Sequence, residues 1–370
     1  MGKIIVMAMP LFLALIGLEM WLARRQQHAY SLSDTINSFS LGMLNQISSA
    51  LGQLFTLGIY TLAVGHIALL ETDFWMQWYG WLAALIFYDF CYYWLHRCGH
   101  EVAVLWAAHV VHHQSQHYNL STALRQTSSG IALAWIFYMP MALAGVPVQV
   151  FAVVALVDLL YQFWVHTELV GKLGWFDRVF CSPSNHRVHH AVNDRYIDRN
   201  YGGVLVLWDR LFGSFQEEAE PCVYGTRSPL NSWDPLWANA EVYAALWTAS
   251  SRAQHWGDKI RVWFKPPGWQ SEAMALTDPR APFDLASVRR FEAPLTKLQQ
   301  RFALFQFFFS LCAVSAYLWH FDAMPWQAAW GFAAGLTVLI WLQGRYLQQR
   351  ATAMALVLSN ALLLALAFGL

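Results

Sequence analysis

The sequence predicts an all-α protein, a bundle of about eight membrane-spanning helices, each of which needs roughly 20 apolar residues. Hydrophobic residue types make up 57% of the 370 residues. Only 12% are charged, about half of the usual globular share of roughly 25%. Several apolar stretches are long enough to cross a bilayer. This composition excludes a disordered chain, a coiled coil and an ordinary soluble enzyme.

Three spans are predicted near the N-terminus. Residues 4–22 form an apolar run that is too long for the hydrophobic region of a signal peptide and leads into Arg24-Arg25 rather than a cleavage site. Residues 47–70 and 74–95 give the second and third spans, separated by the polar tripeptide Glu71-Thr72-Asp73.

The remaining spans lie on both sides of a long polar region. Residues 130–165 are apolar but interrupted at Gly145-Val146-Pro147, which predicts two helices joined as a hairpin through the bilayer. Three further candidates follow at 302–321, 326–342 and 351–368. We therefore divide the chain into N-terminal helices (1–73), a histidine-rich core (74–218), a cap (219–300) and C-terminal helices (301–370).

Arginines predict which ends of the spans face the cytoplasm, because cytoplasmic loops carry an excess of basic residues. Basic residues fall on one side of the predicted spans and acidic residues on the other. The basic set is Arg24, Arg25, Arg97, Arg125, Arg345 and Arg350, and the acidic set is Glu71, Asp73 and Asp322. The pattern predicts a multi-pass protein of a bacterial inner membrane or the endoplasmic reticulum, with the arginine loops and the long polar region in the cytoplasm. The alternative is that loops so short carry too few charges to decide.

The cap region is rich in tryptophan. Trp residues at 233, 237, 247, 256, 263 and 269 alternate with prolines and charges. Trp is favoured at the level of lipid headgroups, since its ring is apolar while its N–H needs a partner. We interpret 219–300 as a cap on the cytoplasmic membrane face; a small soluble Trp-rich subdomain is an equal alternative.

Three local histidine patterns carry the candidate chemistry. The first is His96 and His100, followed by Glu101, at the end of the third span. The other two share the spacing i, i+3, i+4 and comprise His109, His112 and His113, then His186, His189 and His190. On a helix such residues share a face, so each cluster is expected to aim two or three imidazoles at a common point.

Eight imidazoles exceed the roughly four ligands that one zinc ion takes, so they predict two metal ions with positions left open for a substrate. Nitrogen ligands suit iron, copper, zinc or nickel without choosing among them. Haem is an alternative, but it takes one axial His on each side and gains nothing from triplets. Purely structural histidines are the other alternative.

The fifth span adds a fourth polar element. Asp158, Gln162 and His166 recur every four residues and so line one helix face. Polar groups inside a span are costly and usually face the bundle interior. His166 is therefore a candidate ninth ligand, Gln162 is a candidate catalytic residue acting directly or through water, and Asp158 is expected to hydrogen-bond a neighbouring helix.

Charge and cysteine content exclude two other classes. The formal net charge is zero, which gives no basic field for the phosphates of a nucleic acid. The five cysteines are odd in number and contain no CxxC pair, which fits neither a disulfide framework nor a thiolate zinc site.

These motifs resemble those of the fatty acid hydroxylase/sterol desaturase superfamily of membrane di-iron oxygenases. Within it, the stretches that begin at His112, Gln162 and Asn200 are similar to the alkylglycerol monooxygenase subfamily of ether-lipid-cleaving enzymes. The resemblance covers about residues 75–225, so that 74–218 is expected to be the catalytic core.

The resemblance implies an O2-dependent lipid monooxygenase with two iron ions. The implied ligands are His96, His100, His109, His112, His113, His186, His189 and His190, with His166 as an addition. Glu101 would be an acid beside the site. The sequence departs from the family at Asn185, where a further His is common, and at His117, where an acid is common. Asn185 is expected to ligate weakly or through water, and His117 not to ligate.

The implied partners are a membrane lipid, O2 and an external reductant, either tetrahydrobiopterin or an electron-transfer protein, because no GxGxxG motif is present. Ether cleavage, fatty acyl hydroxylation, and sterol hydroxylation or desaturation are the activities left open. A metal or proton transporter with a histidine relay is an alternative from a different class. Transporters place their polar sites near the bilayer midplane, whereas most of these histidines lie just outside the apolar runs.

Overall fold

The computed structural model describes residues 2–25, 30–70 and 73–369, so that Glu71 and Thr72, which were assigned to a predicted loop, lie outside the described part. The described residues form helices and two isolated β-bridges, Phe180–Leu205 and Ala191–Tyr224. This confirms the all-α class.

The helices follow one another in chain order. The first ten are α1 (Gly2–Arg25), α2 (Leu32–Gln53), α3 (Ile59–Ile67), α4 (Trp78–Glu101), α5 (Ala103–Ala107), α6 (Ile131–Ala134), α7 (Met139–Leu143), α8 (Val148–Trp164), α9 (Pro183–His190) and α10 (Leu207–Phe212). The other six are α11 (Pro235–Arg252), α12 (Trp256–Phe264), α13 (Glu272–Thr277), α14 (Lys297–His320), α15 (Trp326–Leu347) and α16 (Ala353–Gly369).

Two hydrophobic clusters organise these helices. One cluster joins α1 and α2 to the C-terminal helices α14, α15 and α16. The other joins α3, α4, α7 and α8. Phe163, near the end of α8, belongs to the first cluster, so that α8 connects the two. Three of the metal-ligating candidates lie at the ends of these helices, His96 and His100 on α4 and His166 just after α8.

Two of these helices are long and apolar enough to cross a membrane by length and composition, Gly2–Arg25 and the stretch Lys297–Ala323. The apolar stretches Ile131–Leu143, Val148–Trp164 and Ala353–Phe368 are shorter. The prediction of about eight full-length spans is therefore only partly matched. A physical reason is that α2 and α4 carry buried polar side chains, such as Asn37 and Asp89, which lower their hydropathy.

Two predicted span boundaries were wrong. The helix over the predicted second span begins at Leu32 rather than Ile47, and a π-helical turn, Leu54–Gly58, joins α2 to α3. The first half of the predicted hairpin is broken into α6, a 3-10 turn (Trp135–Tyr138) and α7.

The turn of the hairpin lies where it was predicted. Gly145 has a φ of +73°, and a Cβ there would lie 2.0 Å from the carbonyl oxygen of Leu70. Only glycine fits both this backbone angle and this close approach.

The region after residue 218 folds into α11, α12 and α13. It contacts the start of α5 through the backbone N–H of Ala103, which donates to the carbonyl of Lys265 at 3.0 Å. Several large apolar side chains remain exposed here, among them Trp247, Trp256 and Phe264.

Candidate metal centre

The last two turns of α4 carry His96 and His100, both buried. About two turns before His96, Asp89 fixes α4 against the loop that follows residue 200. Its carboxylate accepts hydrogen bonds from the backbone N–H groups of Val204 and Leu205 at 2.7 and 3.0 Å and from Nε1 of Trp208 at 2.8 Å. This buried carboxylate therefore brings the 200–208 loop over the histidines of α4.

The second histidine cluster lies on a 3-10 turn, Val110–His113, rather than on an α-helix. Arg125, which is 1% exposed, stabilises this turn by donating from Nε to the carbonyl of Val111 at 2.8 Å and from Nη1 to Oδ1 of Asn37 at 2.8 Å. Asp34 lies 4.0 Å from the same guanidinium. A buried cation is costly unless it is paired in this way, so α2 and the turn are joined firmly.

The third cluster lies on α9, which begins at Pro183. The hydroxyl of Ser182 accepts from the backbone N–H of Asn185 as an N-cap. Arg187 anchors the helix from its outer side by donating from Nε and Nη2 to the two carboxylate oxygens of Glu218 at 2.8 and 2.7 Å. Such a two-point contact fixes orientation as well as position.

The structure brings nine imidazoles together in two groups. Within each group the ligand nitrogens lie within 4.8 Å of one another. The five-nitrogen group comprises His96, His100, His109, His113 and His189. The four-nitrogen group comprises His112, His166, His186 and His190.

Each triplet brings two of its three imidazoles into one group. In both triplets the i and i+4 residues join one group, whereas the i+3 residue joins the other. Thus His112 belongs to the four-nitrogen group and His189 to the five-nitrogen group, apart from the other two residues of their triplets.

Backbone carbonyls orient several of these rings. The Nδ1–H of His96 donates to the carbonyl of Tyr201 at 2.8 Å, and that of His189 to Arg199 at 3.0 Å. In the other group, Nδ1 of His112 donates to the carbonyl of Arg125 at 2.9 Å. A carbonyl can only accept, so each of these rings has its proton on Nδ1 and a free lone pair on Nε2.

The donor set fits a metal cation. His166 is oriented like His112, since its Nδ1 donates to the carbonyl of Gln162 at 2.8 Å, yet the Nε2 atoms of His166 and His112 lie only 3.2 Å apart. Two lone pairs cannot hydrogen-bond each other, so a cation shared between them resolves the contact. Nε2 of His96 and Nε2 of His100 are buried without a hydrogen-bond partner in the described residues.

The imidazoles are also electrically suited to ligation. Burial lowers the pKa of His112 to about 4. Burial likewise lowers the pKa values of His113, His186, His189 and His190 well below the ordinary value. Neutral rings keep the lone pairs that a metal needs.

The two predicted catalytic residues lie near the groups without joining them. Glu101 accepts from Nε of Arg97 at 2.9 Å, and the hydroxyl of Tyr201 lies 3.5 Å from the same carboxylate oxygen. Gln162 accepts from the hydroxyl of Tyr92 at 2.7 Å and donates to Asp158 at 2.6 Å. The bond from Gln162 to Asp158 joins two residues of the same helix, α8, whereas the expected partner was a neighbouring helix.

The two departures from the family pattern lie outside both groups. His117 is buried, and its Nε2 is 3.9 Å from a carboxylate oxygen of Glu292. Asn185 donates from Nδ2 to the carbonyls of Asp177 and Phe180 at 3.0 and 3.2 Å. The amide nitrogen of Asn185 is therefore engaged with the backbone.

Sequence reasoning missed the groups that hold the histidines. Asp198 lies 3.8 Å from Nδ1 of His100, and Asp209 accepts from the backbone N–H groups of Tyr201 and Gly202 at 2.7 and 2.8 Å. Asp198 and Asn200 both have a φ of +56°, a conformation for which Asp and Asn are enriched. That residue choice is the only sequence signal for the turn that presents the carbonyls of Arg199 and Tyr201.

A cavity of about 220 Å³ reaches both groups. His109, His112 and His166 line its inner end, and apolar side chains of α1, α8 and α14 line most of the rest. The volume equals that of about seven liquid water molecules. An apolar cavity that ends at histidine nitrogens suits a ligand with a hydrocarbon chain.

Known proteins resemble the part of the chain that carries both groups. Residues 81–214, which contain both groups, match the family model described as fatty acid hydroxylase. The alkylglycerol monooxygenase of Danio rerio is 38% identical over 316 residues, which is 84% of this chain and 70% of the relative. The chain belongs to the fatty acid hydroxylase family. Membership confirms the predicted family.

Other members of the fatty acid hydroxylase family also match. The alkylglycerol monooxygenase of Homo sapiens is 40% identical over 265 residues, which is 71% of this chain but only 59% of that relative's length. The ornithine lipid hydroxylase of Rhizobium tropici is 30% identical over 184 residues, 48% of this chain and 54% of the relative. No solved structure matches.

Proposed function

We propose that the chain is a membrane-bound di-iron monooxygenase that hydroxylates a lipid C–H bond with O2, acting on the carbon next to the ether oxygen of an alkylglycerol. The observation that carries this proposal is the pair of nitrogen groups, each large enough for one metal ion, at the end of an apolar cavity. Similarity to alkylglycerol monooxygenases supports the choice of lipid.

The five-nitrogen group and the four-nitrogen group would each hold one iron ion. Two ferrous ions, when bound, supply the chemistry by reducing O2 and removing hydrogen from an unactivated C–H bond. The balance requires two electrons and two protons from a reductant, which we assign to tetrahydrobiopterin or to an electron-transfer protein. The lipid gains one oxygen atom and the other leaves as water. The hemiacetal formed then collapses to a fatty aldehyde and glycerol.

The chain's own residues would orient the rings and exclude water. The carbonyls of Tyr201, Arg199, Arg125 and Gln162 set the four Nδ1 protons and so turn the Nε2 lone pairs inward. These outer partners matter for affinity, since their loss typically weakens metal binding by roughly tenfold to a hundredfold.

We assign supporting roles to the two predicted catalytic residues. Glu101 would steady the Arg97 and Tyr201 side chains beside His96. Gln162 would act from the cavity wall, where its carbonyl orients His166 and its amide lies in a chain of hydrogen bonds with Tyr92 and Asp158.

We further propose the membrane arrangement predicted from the arginine pattern, with about eight spans and the metal centre on the cytoplasmic side. Exposed Trp256, Ile260 and Phe264 on α12 support a cap (219–300) that lies on the membrane surface, because such side chains favour the headgroup level. The four-part division of the chain given above belongs to the same proposal.

Cysteine labelling tests this arrangement. With a membrane-impermeant maleimide, Arg280→Cys should be modified from the cytoplasmic side and Gln149→Cys, near the Gly145 turn, from the opposite side. Both positions are exposed, and the unsubstituted chain is the control for the five native cysteines. Labelling of both from the same side would refute the topology.

Oxygen uptake tests the activity. Purified protein reconstituted with ferrous iron and supplied with tetrahydrobiopterin should consume O2 only when a 1-O-alkylglycerol is present, and should release fatty aldehyde. Uptake driven by a fatty acyl lipid or sterol instead would favour the alternative hydroxylase or desaturase activities, which the similarity to the ornithine lipid hydroxylase makes the second candidate. Metal transport without any lipid-dependent uptake would favour the transporter.

A further inference from the structure

The cavity that reaches the histidines has one thin place in its wall. Side chains of α1, α2, α4, α8 and α14 line it together with the histidines. Among the lining residues of the described chain, only Leu159 and Leu160 of α8 are exposed, at 46% and 40%. Each leucine therefore has one side towards the cavity and another towards the outside. A single layer of side chains, which we call the leucine wall, separates the cavity from the outside here.

Two contacts join α1 to α8 on the histidine side of the leucine wall. The rings of Phe12 and Phe163 lie 4.6 Å apart between their centroids. Further along both segments, Glu19 accepts a hydrogen bond from the hydroxyl of Thr167, just after α8. The two contacts follow in the same order along both segments, so α1 and α8 run in the same direction.

The leucine wall lies one turn before the first of these contacts. Leu159 and Leu160 precede Phe163 by four and three residues, and Met9 precedes Phe12 by three. Side chains at such spacings lie on the same face of a helix. Met9 lines the cavity as the leucines do, so the wall lies beside α1. Leu160 lies about 6 Å before the last residue of α8, which in the proposed membrane arrangement places the wall against lipid hydrocarbon.

The cavity is too small for the whole chain of a membrane lipid. A protein cavity of about 150 Å³ holds one benzene molecule, which has about six carbon atoms' worth of volume. By the same proportion, the cavity of about 220 Å³ holds about nine carbon atoms. A hexadecyl chain has nearly twice as many, so its far half needs a place outside the cavity.

We propose that the hydrocarbon chain of the lipid passes between the cavity and the bilayer at the leucine wall, past Leu159 and Leu160. This inference rests on the proposed function, from which it takes the lipid and the membrane arrangement. The part of the chain next to the glycerol lies in the cavity, and the far end stays among the lipid chains. The far end then exchanges one hydrocarbon environment for another, which costs little free energy.

Photolabelling locates the far end of the chain. One probe is 1-O-hexadecylglycerol with a diazirine at the end of the chain, and the matched probe carries the diazirine next to the ether oxygen. Each is irradiated with iron-free, full-length protein in lipid nanodiscs, and labelled residues are identified by mass spectrometry. Only labelling that excess hexadecylglycerol suppresses is counted, because surfaces that face lipid are labelled without specific binding.

The two probes should label different residues. The end-of-chain probe should label α8 at Leu159 or Leu160, or the half of α1 that precedes Phe12. The matched probe should label the inner end of the cavity, where His112 and Phe163 lie.

A bulky side chain in the leucine wall tests the passage. Leu160→Trp should weaken binding of 1-O-hexadecylglycerol about tenfold, because overpacking blocks the way of the chain. Binding of 1-O-octylglycerol should stay unchanged, since its chain fits inside the cavity. Val157→Trp is the matched control and should leave both ligands unchanged, because Val157 lies on the same helix and is 44% exposed but does not line the cavity. Binding is measured by equilibrium dialysis on iron-free protein.

Failure of this inference and failure of the proposed function give different results. Suppressible labelling by the end-of-chain probe that is confined to buried lining residues such as Leu311 and Val314, or no suppressible labelling, would overturn the passage. A folded Leu160→Trp chain that weakens both ligands equally, or neither, would also overturn it. If that variant does not fold, labelling of wild-type protein decides alone. Absence of lipid-dependent O2 uptake in iron-loaded wild-type protein would overturn the proposed function, whereas labelling and dialysis need no turnover.

Discussion

Replacement of His112 by Ala should remove one metal ion from the chain and leave the other. His112 is one of only four nitrogens in its group, and its neighbours His109 and His113 belong to the other group. No adjacent imidazole can therefore fill the vacated position. His189→Ala should have a smaller effect on metal content, because its five-nitrogen group keeps four nitrogens. Four is the number that the other group has when intact.

The size of the effect follows from linkage between binding and folding. A ligand at a hundredfold excess over its Kd stabilises the folded state by about 2.7 kcal/mol. Loss of one iron ion at that concentration should lower the free energy of unfolding by the same amount. In iron-free protein His112→Ala relieves the contact of 3.2 Å between the Nε2 atoms of His112 and His166 but also removes the hydrogen bond to the carbonyl of Arg125. The difference between unfolding with and without iron therefore isolates the contribution of ligation.

His117→Ala is the matched control. Its imidazole is 7% exposed, against 8% for His112, and it lies outside both groups. Iron content is measured by mass spectrometry, and unfolding is followed with and without ferrous iron. We expect about two iron ions per chain in wild-type protein and His117→Ala, and about one in His112→Ala.

Two results would refute this reasoning. The first is a difference in the free energy of unfolding between His112→Ala and His117→Ala that is the same with iron and without it. That result would show that His112 contributes packing and not ligation. One zinc ion per chain, unchanged after reconstitution with ferrous iron, would refute the di-iron assignment itself.

Three further changes probe the supports of the site. Asp209→Asn leaves a buried backbone N–H without its acceptor beside the carbonyl that orients His96, and chelator competition should show iron affinity about tenfold to a hundredfold weaker. Burial opposes ionisation of Glu218, but bonds from Arg187 and others hold its pKa below the ordinary 4.5. That stabilisation is present above pH 4.5 and is lost as pH falls through the lower folded-state pKa. The unfolding midpoint of Glu218→Gln should therefore fall less steeply with decreasing pH in this acid range than that of wild type. Gly145→Ala should lower the free energy of unfolding by at least about 1–2 kcal/mol, because φ is +73° there, and a chemical melt measures it.

The histidine motifs were predictable because their meaning is local. Imidazoles at i, i+3 and i+4 must lie close together on any helical turn, so His109 to His113 and His186 to His190 indicated a metal centre without knowledge of the fold. The partition between two groups was not predictable in the same way. It depends on how the 3-10 turn that carries His112 faces α8 and α9, and that contact joins residues far apart in the chain.

The first half of α2 shows why other parts could not be predicted. Its polar residues gave no apolar run, yet they are buried because distant partners satisfy them. Asn37 donates to the carbonyl of Trp233 at 2.8 Å and accepts from Arg125, and Asp34 accepts from Ser115 at 2.9 Å. A hydropathy profile takes no account of a hydrogen-bond partner that lies some 80 to 200 residues away in the chain.

Residues that are neighbours in the chain are divided between the two groups. This division matters for the proposed reaction, which would use two metal ions. His112 and His113 are consecutive residues that join different groups, and His189 and His190 are a second such pair. The separation between the groups therefore depends on the torsion angles of two pairs of adjacent residues. Each pair lies on a turn that is tied to the rest of the protein by a buried arginine, Arg125 or Arg187. Under the proposed function, a site built in this way would hold two iron ions as near neighbours, so that both could act on one O2 molecule.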